Sequence, residues 1–209
     1  MPNAFLYVVD RDFGFAPNPF HGSCTLATCK PQIRKSATVG DWVIGIGGAR
    51  LRATGHCIFA MEVTNRVSFD VYWADKAFLD KRPVRNGSQR MLVGDNIYHF
   101  TGNQWHQADS HHSLEDGTPN ILNIQKDTST NSVLISQNFH YFGKDAPDVS
   151  DILSELGYKN GRSHRKYGLE KLKDLLSFLD RFPKNQVLAD PFDFHTANSR
   201  YTGIGSKIK

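Results

Sequence analysis

Short apolar runs separated by polar, glycine-rich turns fill the first two thirds of the chain. Runs of roughly four to eight residues with many β-branched and aromatic side chains are typical of buried strands. This pattern predicts strands over Phe5–Val9, Cys24–Cys29, Trp42–Ile46, His56–Val63, Val67–Val71, Ile97–Phe100 and Ser132–Ser136. Gly47 and Gly48 lie at the bend between the third and fourth of these strands, where the chain turns sharply.

The hydrophobic period changes from that of strands to that of helices in the last third of the chain. A helix is predicted over Asp151–Leu156, because Gly157 follows in the position that usually ends a helix. Leucines spaced three and four residues apart predict an amphipathic helix over Gly168–Phe182. Strands first and helices last predict an α+β fold. We expect one domain over residues 1–182 and an irregular C-terminal tail over residues 183–209.

The composition is that of an ordinary water-soluble domain. Hydrophobic residues make up 39% of the 209 residues and charged residues 22%, and no apolar run approaches the length that crosses a bilayer. The N-terminal segment carries no basic leader, so we expect a cytoplasmic protein without membrane association. The net charge of +4 is compatible with a polyanionic partner such as nucleic acid. Three cysteines form an odd set, which indicates reduced thiols rather than disulfides.

The glycine-rich bend does not match a known phosphate-binding motif. A dinucleotide fingerprint that starts at Gly45 needs a glycine five residues later, where the chain has Arg50. No Walker A sequence occurs either. Glycines that permit a sharp bend between two strands are the simpler interpretation, and the bare backbone there also lets a ligand approach closely.

Histidine and cysteine residues do not form a recognisable metal motif. Five of these residues would lie close together if the second and fourth predicted strands were neighbours: His21, Cys24, Cys29, His56 and Cys57. Their spacing matches no zinc ribbon, finger or deaminase, so buried free cysteines explain them more simply. The polar segment 102–119 carries three further histidines, which we interpret as part of a solvated loop: His106, His111 and His112. We therefore predict no metal and no cofactor.

The loop from Asp10 to His21 concentrates chemical groups after the first predicted strand. Its prolines pre-set its shape, and its aromatic rings offer stacking surfaces for a base. Arg11 can make a bidentate contact to a phosphate or to a base edge. His21 is a candidate acid or base near neutral pH, with Asp10 in a position to orient it. The alternative is a rigid loop whose phenylalanines only cap the core.

Four segments together resemble a known family. They are YVVDRDFGFAPNPFH at residues 7–21, TLATCKP at 25–31, VGDWVIG at 39–45 and FHYFG at 139–143. This set is similar to the nucleotide-modification-associated domain family, type 2. The resemblance implies a prokaryotic or phage protein encoded beside enzymes that modify DNA bases, and it assigns no catalytic role to any position.

A second, shorter resemblance concerns the Gly40–Asp41 turn, the strand after it and segment 55–63. These are similar to the PUA-like barrels of the EVE and ASCH type. The resemblance implies a partly open β-barrel with C-terminal helices, and a modified base bound in an aromatic-lined cleft.

These observations lead to one main functional hypothesis and two alternatives. The main hypothesis is binding of a nucleotide, or of a modified base in nucleic acid, in a DNA-modification or phage-defence context. The expected ligand-binding residues are Arg11, Phe20, His21, Trp42, Arg52, His140 and Tyr141. The first alternative is an enzyme acting on a nucleotide or base, with His21 as acid or base and Asp10 as its orienting partner. The second is a protein–protein adaptor.

Overall fold

The computed structural model describes residues 1–201, which form a mixed α/β architecture. The strands of this part of the chain are β1 Asn3–Val9, β2 Cys24–Leu26, β3 Trp42–Gly47, β4 Cys57–Glu62, β5 Asn65–Val67, β6 Tyr98–Thr101, β7 Gln104–Gln107, β8 Val133–Ser136, β9 Asn138–Tyr141 and β10 Arg165–Gly168. Its α-helices are α1 Pro31–Ser36, α2 Phe69–Ala74, α3 Gln89–Leu92, α4 Ile121–Asp127, α5 Ser150–Glu155 and α6 Lys173–Leu179.

A mixed five-stranded sheet forms the centre of the fold, in the strand order β10-β1-β3-β4-β9. β1 and β3 run parallel, with Ala4 opposite Trp42 and Val9 opposite Gly47. The other neighbouring strands in this sheet run antiparallel. The carboxyl ends of β1 and β3 therefore lie side by side at one edge of the sheet.

The alternation of side chains along β1 divides the core into two layers. Phe5, Tyr7 and Val9 belong to the layer that the sheet shares with β2 and β8. Ala4 and Leu6 belong to the layer that it shares with α5 and α6. Because both faces of the sheet are covered at its centre, β1, β3 and β4 are apolar on both sides, and this is why they stand out in the sequence as continuous apolar runs.

The helical layer confirms the amphipathic pattern near the end of the chain. Leu172, Leu175 and Leu179 are buried in this layer, at the spacing of one helix face. The helix predicted for this segment begins as a 3₁₀ turn over Leu169–Leu172 and continues as α6. α5 agrees with the other predicted helix, and Gly157 beyond it has a left-handed φ of 68°.

Two smaller sheets complete the β-structure of the described residues. They are the three-stranded sheet β2-β8-β5 and the hairpin β6-β7. Within residues 1–201 the sheets do not close into a barrel. A mixed fold of sheets and a few helices is thus confirmed, while the PUA-like barrel with C-terminal helices stays a prediction.

Two strand predictions are wrong, for local reasons. Val67–Val71 is not one strand, because the Ser68 hydroxyl accepts a hydrogen bond from the Val71 N–H at 3.3 Å and caps α2. The strand predicted over Cys24–Cys29 ends at Leu26, since the chain then bends toward Pro31, the first residue of α1. Cys29 therefore lies in a turn rather than on a strand.

The interpretation of residues 102–119 as a solvated loop is also wrong. This segment contains β7, and His111 and His112 are only 3% and 2% exposed. The Asn123 side chain, on α4, donates a hydrogen bond to the carbonyl of His112 at 2.8 Å. His106 is half-buried and stacks on His99 across the β6-β7 hairpin. The polar sequence does not indicate solvent exposure here, because these polar residues form hydrogen bonds inside the protein.

Residues 183–201 are irregular apart from a 3₁₀ turn at Phe194–Thr196, and they pack against the rest of the chain. Phe194 is 5% exposed and its ring stacks on Phe20, with centroids 5.4 Å apart. The Phe192 N–H donates to the carboxylate of Asp12 at 3.2 Å. The division into a domain over residues 1–182 and a tail stays a prediction, and the last part of that tail, residues 202–209, lies outside the described residues.

Across residues 1–201, no helix combines the length and the hydrophobicity that a membrane crossing needs.

Candidate functional site

A cleft of about 570 Å³ opens at the carboxyl ends of β1 and β3. The loop after β1 contributes Asp10 and Arg11 to its wall, and the 3₁₀ turn after β3 contributes Arg50. Ligands of open α/β sheets usually bind outside the carboxyl ends of strands. The volume lies within the range of small-molecule sites, roughly 300–1,000 Å³.

The wall of this cleft combines positive charge with aromatic rings. The cationic side chains among its described lining residues are Arg11, Lys30, Arg50 and Lys126, and the acidic one is Asp10. Its aromatic lining residues, histidines aside, are Tyr7, Phe13, Phe15 and Tyr201. The charged groups of Arg11 and Lys126 lie 5.8 Å and 5.9 Å from the centre of the Tyr201 ring, within cation–π range. The cleft therefore offers positive charge beside ring surfaces.

Three chemically reactive side chains meet at this cleft. The Sγ atom of Cys29 lies 3.7 Å from Nε2 of His112, and the other ring nitrogen, Nδ1, lies 2.7 Å from Oδ2 of Asp127. The second carboxylate oxygen of Asp127 accepts a hydrogen bond from the Cys29 backbone N–H at 2.8 Å. Cys29 and His112 line the cleft, whereas Asp127 is buried. The imidazole ring thus bridges a thiol and a carboxylate.

The electrostatics of these three groups favour their charged forms. Burial raises the pKa of the Cys29 thiol, but the positive charge of His112, its hydrogen bond to the sulfur and the charge of Lys126 together lower the pKa below its usual value. Burial lowers the pKa of His112, yet the charges of Asp127 and Cys29 raise it to about 10. Burial raises the pKa of Asp127, but the charges of His112 and Arg34 and the hydrogen bonds from His112 and Tyr98 together bring it below its usual value. The three groups therefore stabilise one another's charged forms: the thiolate, the imidazolium and the carboxylate.

A buried arginine holds the backbone segments that carry these groups. Arg34 on α1 is 0% exposed and donates from Nε to the carbonyl of Cys29 at 2.8 Å. Its Nη1 and Nη2 donate to the carbonyls of Ser132 and Asp127. The hydroxyl of Tyr98 adds a hydrogen bond to Oδ2 of Asp127 at 2.9 Å. The carboxylate and the turn at Cys29 are therefore fixed relative to each other.

The backbone at Cys29 has an unusual conformation. Cys29 and Lys30 both have left-handed φ values, 57° and 39°. For residues other than glycine, this region costs on the order of 1 kcal/mol or more, and it persists where the surroundings hold the chain. Pro31 starts α1 directly afterwards, and the Arg34 hydrogen bond holds the Cys29 carbonyl. The resulting turn presents the thiol to the cleft.

The same three residues are also a candidate metal site. Within the described part of the chain, their ligand atoms approach one another within 4.8 Å. The separation of 2.7 Å between Nδ1 of His112 and Oδ2 of Asp127 is that of a hydrogen bond. Two ligands of one tetrahedral zinc ion, each about 2.1 Å from it, lie about 3.4 Å apart. The geometry therefore fits a hydrogen-bonded group better than a metal centre.

Comparison with known families supplies the decisive observation about ancestry. The family model described as nucleotide modification associated domain 2 matches residues 1–198. The chain belongs to this family. Its description associates the nucleotide modification associated domain 2 family with nucleotide modification, and the resemblance of the four sequence segments is thereby confirmed. Comparisons with curated proteins and with solved structures give no match.

In this member of the nucleotide modification associated domain 2 family, the residues expected to bind a ligand do not share one cleft. Arg11 lines the cleft, together with its neighbour Asp10. Arg52 and His21 are exposed and are not among its lining residues. The expectation of a single pocket that gathers all of them is therefore not met.

The four other expected residues lie inside the protein. Phe20 stacks on Phe194, and Trp42 is buried in the helical layer. His140 is 0% exposed and its Nδ1 contacts the carbonyl of Pro183 at 3.2 Å, while the hydroxyl of Tyr141 donates to Asp12. Aromatic residues at strand ends serve here as core, which a single sequence does not distinguish from a binding surface. Their ligand-binding role stays a prediction.

Sequence reasoning missed the group formed by Cys29, His112 and Asp127. His112 is 83 residues from Cys29 and 15 residues from Asp127, so no short motif contains the three residues. One usable signal was the cysteine directly before a lysine and a proline, at the end of an apolar run. Another was the pair of adjacent histidines in a polar segment.

Proposed function

We propose that this domain binds a nucleotide, either free or within a nucleic acid, in the cleft at the carboxyl ends of β1 and β3. The observation that carries the proposal is the lining of that cleft, where four cationic side chains stand beside aromatic rings. A nucleotide has two matching parts, because its phosphate is an anion and its base is a flat aromatic ring. The association of the family with nucleotide modification supports this ligand class.

The crowding of positive charge supports an anionic ligand. Burial and the charge of Arg50 both lower the pKa of Arg11, which means that the two guanidinium groups repel each other. Burial also lowers the pKa of Lys30. A phosphate bound between the Arg11 and Arg50 guanidinium groups offsets their repulsion, because its negative charge attracts both.

An unsatisfied hydroxyl supports a ligand with polar atoms. Tyr7 lines the cleft, and its hydroxyl is buried without a hydrogen-bond partner among the described residues. Leaving such a group unpaired costs about 1–3 kcal/mol. A base edge or a sugar hydroxyl in the cleft supplies the missing partner.

Titration of deoxynucleoside monophosphates and of short single-stranded oligonucleotides, with plain and modified bases, tests the proposal. Arg50→Ala should weaken binding about tenfold, because it removes a charge-assisted bond to phosphate. Arg52→Ala is the matched control, since Arg52 is also exposed but does not line the cleft. Calorimetry at two salt concentrations separates the ligand forms, because affinity for an oligonucleotide falls more steeply with salt than affinity for a mononucleotide.

Two results contradict the proposal. One is the absence of binding for every nucleotide and oligonucleotide tried. The other is equal weakening by Arg50→Ala and Arg52→Ala, which places the ligand outside the cleft.

The finer expectations from the sequence remain part of the proposal. They are that the protein acts in DNA modification or phage defence, that it is located in the cytoplasm and that its fold is related to PUA-like barrels. The alternative enzyme based on His21 and Asp10 has less support, because Asp10 lines the cleft and His21 does not. Within residues 1–201, no observation favours the adaptor alternative over nucleotide binding.

A further inference from the structure

The group of Cys29, His112 and Asp127 has the arrangement of a nucleophile, its base and the residue that orients the base. In such groups the base lies within reach of the nucleophile and is turned by a third residue. His112 meets both conditions, because Nε2 faces Cys29 at 3.7 Å and Nδ1 faces Asp127 at 2.7 Å. Binding of a nucleotide does not by itself require this arrangement.

The two other cysteines of the sequence provide an internal comparison. Cys24 and Cys57 are both 0% exposed, and burial raises the pKa of each thiol. Cys24 contacts the sulfur of Met61, and Cys57 contacts the carbonyl of Phe59. Of the three cysteines, Cys29 is the one that lines the cleft and contacts a histidine. The features of a reactive thiol therefore coincide at one position.

We infer that Cys29 is a catalytic nucleophile that attacks a carbonyl carbon carried by the nucleotide in the cleft. His112 acts as its base and as the acid for the leaving group, and Asp127 is the residue that positions His112. This inference rests on the proposed nucleotide binding. The substrate class is a nucleotide that bears an amide or ester, whose carbonyl carbon is bonded to nitrogen or oxygen.

An amide or ester is the substrate that uses every member of the group. An amine or an alkoxide leaves a carbonyl carbon readily only when it receives a proton, and Nε2 of His112 is a proton donor beside the sulfur. Asp127 stabilises the imidazolium that holds this proton. Lys30 also lines the cleft and brings positive charge toward the oxygen that becomes negative.

The reaction balances with water as its only other reactant. The sulfur lone pair of the thiolate forms the bond to carbon, and the π pair of the carbonyl moves onto oxygen. That pair returns to re-form the carbonyl, the bond to nitrogen or oxygen breaks, and the leaving group takes the proton from His112. Water then gives a proton to His112 while its oxygen bonds to the thioester carbon, and the sulfur leaves as thiolate. No electrons are exchanged with an oxidant or reductant.

Alkylation of the intact protein with iodoacetamide over a range of pH tests the nucleophile. Cys29 should react fastest of the three cysteines, and it should stay reactive well below about pH 8.5, where ordinary thiols are protonated. Peptide mass spectrometry identifies the alkylated residue, and Cys24 serves as the internal control. His112→Asn should shift the rate profile to higher pH, and Asp127→Asn should shift it in the same direction, whereas a purely structural role moves neither profile.

The wild-type profile decides the question even if the variants do not fold. A Cys29 that reacts only at the pH of an ordinary thiol, or no faster than Cys24, overturns the inference.

An acyl probe tests the reaction class. Wild-type protein treated with p-nitrophenyl acetate should release p-nitrophenolate and carry one acetyl group on Cys29, seen by mass spectrometry of rapidly quenched samples. Cys29→Ala should show no such adduct, and His112→Asn should slow the release at least about 100-fold, the usual contribution of a positioned base. Acetylation at other residues only, or none, overturns the acyl-transfer step.

Nucleotide binding and nucleophilicity are measured separately, so their failures are distinguishable. Arg50→Ala should weaken nucleotide binding about tenfold, while Cys29 in that variant stays as reactive toward iodoacetamide as in the wild type. Bound deoxynucleoside monophosphate should protect Cys29 from iodoacetamide. A reactive Cys29 without nucleotide binding overturns the nucleotide as substrate, and nucleotide binding with an unreactive Cys29 overturns the nucleophile alone.

Discussion

Arg34 is a fully buried cation whose partners are backbone carbonyls rather than a carboxylate side chain. Its guanidinium donates to the carbonyls of Cys29, Asp127, Thr130 and Ser132. These carbonyls belong to the turn after β2 and to the connection between α4 and β8. The planar fork of five donors makes arginine suited to this role. One side chain thus sets the relative position of the thiol and of the helix that ends in Asp127.

Substitution of Arg34 should therefore affect both stability and chemistry. Arg34→Met leaves several buried carbonyls without donors, and the free energy of unfolding should fall by about 3–5 kcal/mol. Lys35→Met is the matched control on the same helix, because Lys35 is exposed and its loss should change stability by less than about 0.5 kcal/mol. Urea denaturation measures the first effect. The pH profile of Cys29 alkylation measures whether the thiol has also lost its position next to His112, and unchanged values of both would contradict the role of Arg34.

At the scale of elements, the glycine-rich turn between β3 and β4 places Arg50 at the cleft. A Cβ atom added to Gly47 would overlap the backbone carbonyl of Ala53. Glycine is therefore the residue that fits at this position without a shift of the backbone. The 3₁₀ turn Ala49–Leu51 projects from this tight fold. The glycines thus allow the turn to pack tightly, and the tight turn fixes the position of Arg50 at the cleft.

Gly47→Ala should overpack the turn. We expect the free energy of unfolding to fall by about 1–3 kcal/mol, and nucleotide affinity to fall with it because Arg50 shifts. Gly161→Ala is the control, since its added Cβ meets the flexible end of Arg165 at 3.1 Å rather than backbone. Thermal unfolding and the nucleotide titration measure the two effects. Equal stability of both variants would show that the turn tolerates the extra methyl group.

At the scale of the whole molecule, the cleft is built from segments that are far apart in the chain. The loop after β1, the turn before α1, the turn after β3, the loop with His112 and helix α4 all contribute lining residues, and Tyr201 adds one from the C-terminal segment. That segment is held by Phe194, which packs on Phe20. Binding at the cleft and stability of the C-terminal segment are therefore coupled.

Phe194→Ala should loosen this connection. Removing a buried aromatic ring should lower the free energy of unfolding by about 3–5 kcal/mol, and it should also weaken nucleotide binding because Tyr201 is less well placed. The exposed neighbour supplies the control, His195→Ala, for which neither quantity should change appreciably. Hydrogen exchange over residues 183–201 reports the loosening directly. A variant that stays as protected as the wild type would contradict the coupling.

The sequence by itself determined the parts of the fold that repeat one local pattern over a sufficient length. β1, β3, β4 and the helix that ends at Leu179 were predictable, because the period of apolar residues depends only on local geometry. The family was also recognisable from the sequence, because each of the four segments that carry the resemblance is a short continuous stretch of residues. α1 and α4 were missed because helices of six and seven residues are too short to show a clear period.

Only the tertiary structure decided which side chains share the cleft. Arg11 was predictable from its position after β1, but Phe20, Trp42, His140 and Tyr141 look the same in a sequence whether they fill a core or line a pocket. Cys29, His112 and Asp127 come together because a left-handed turn and a buried arginine hold the segments of Cys29 and Asp127 against each other, and His112 contacts Asp127. Contacts between distant residues depend on how whole elements pack, and no local period records that packing.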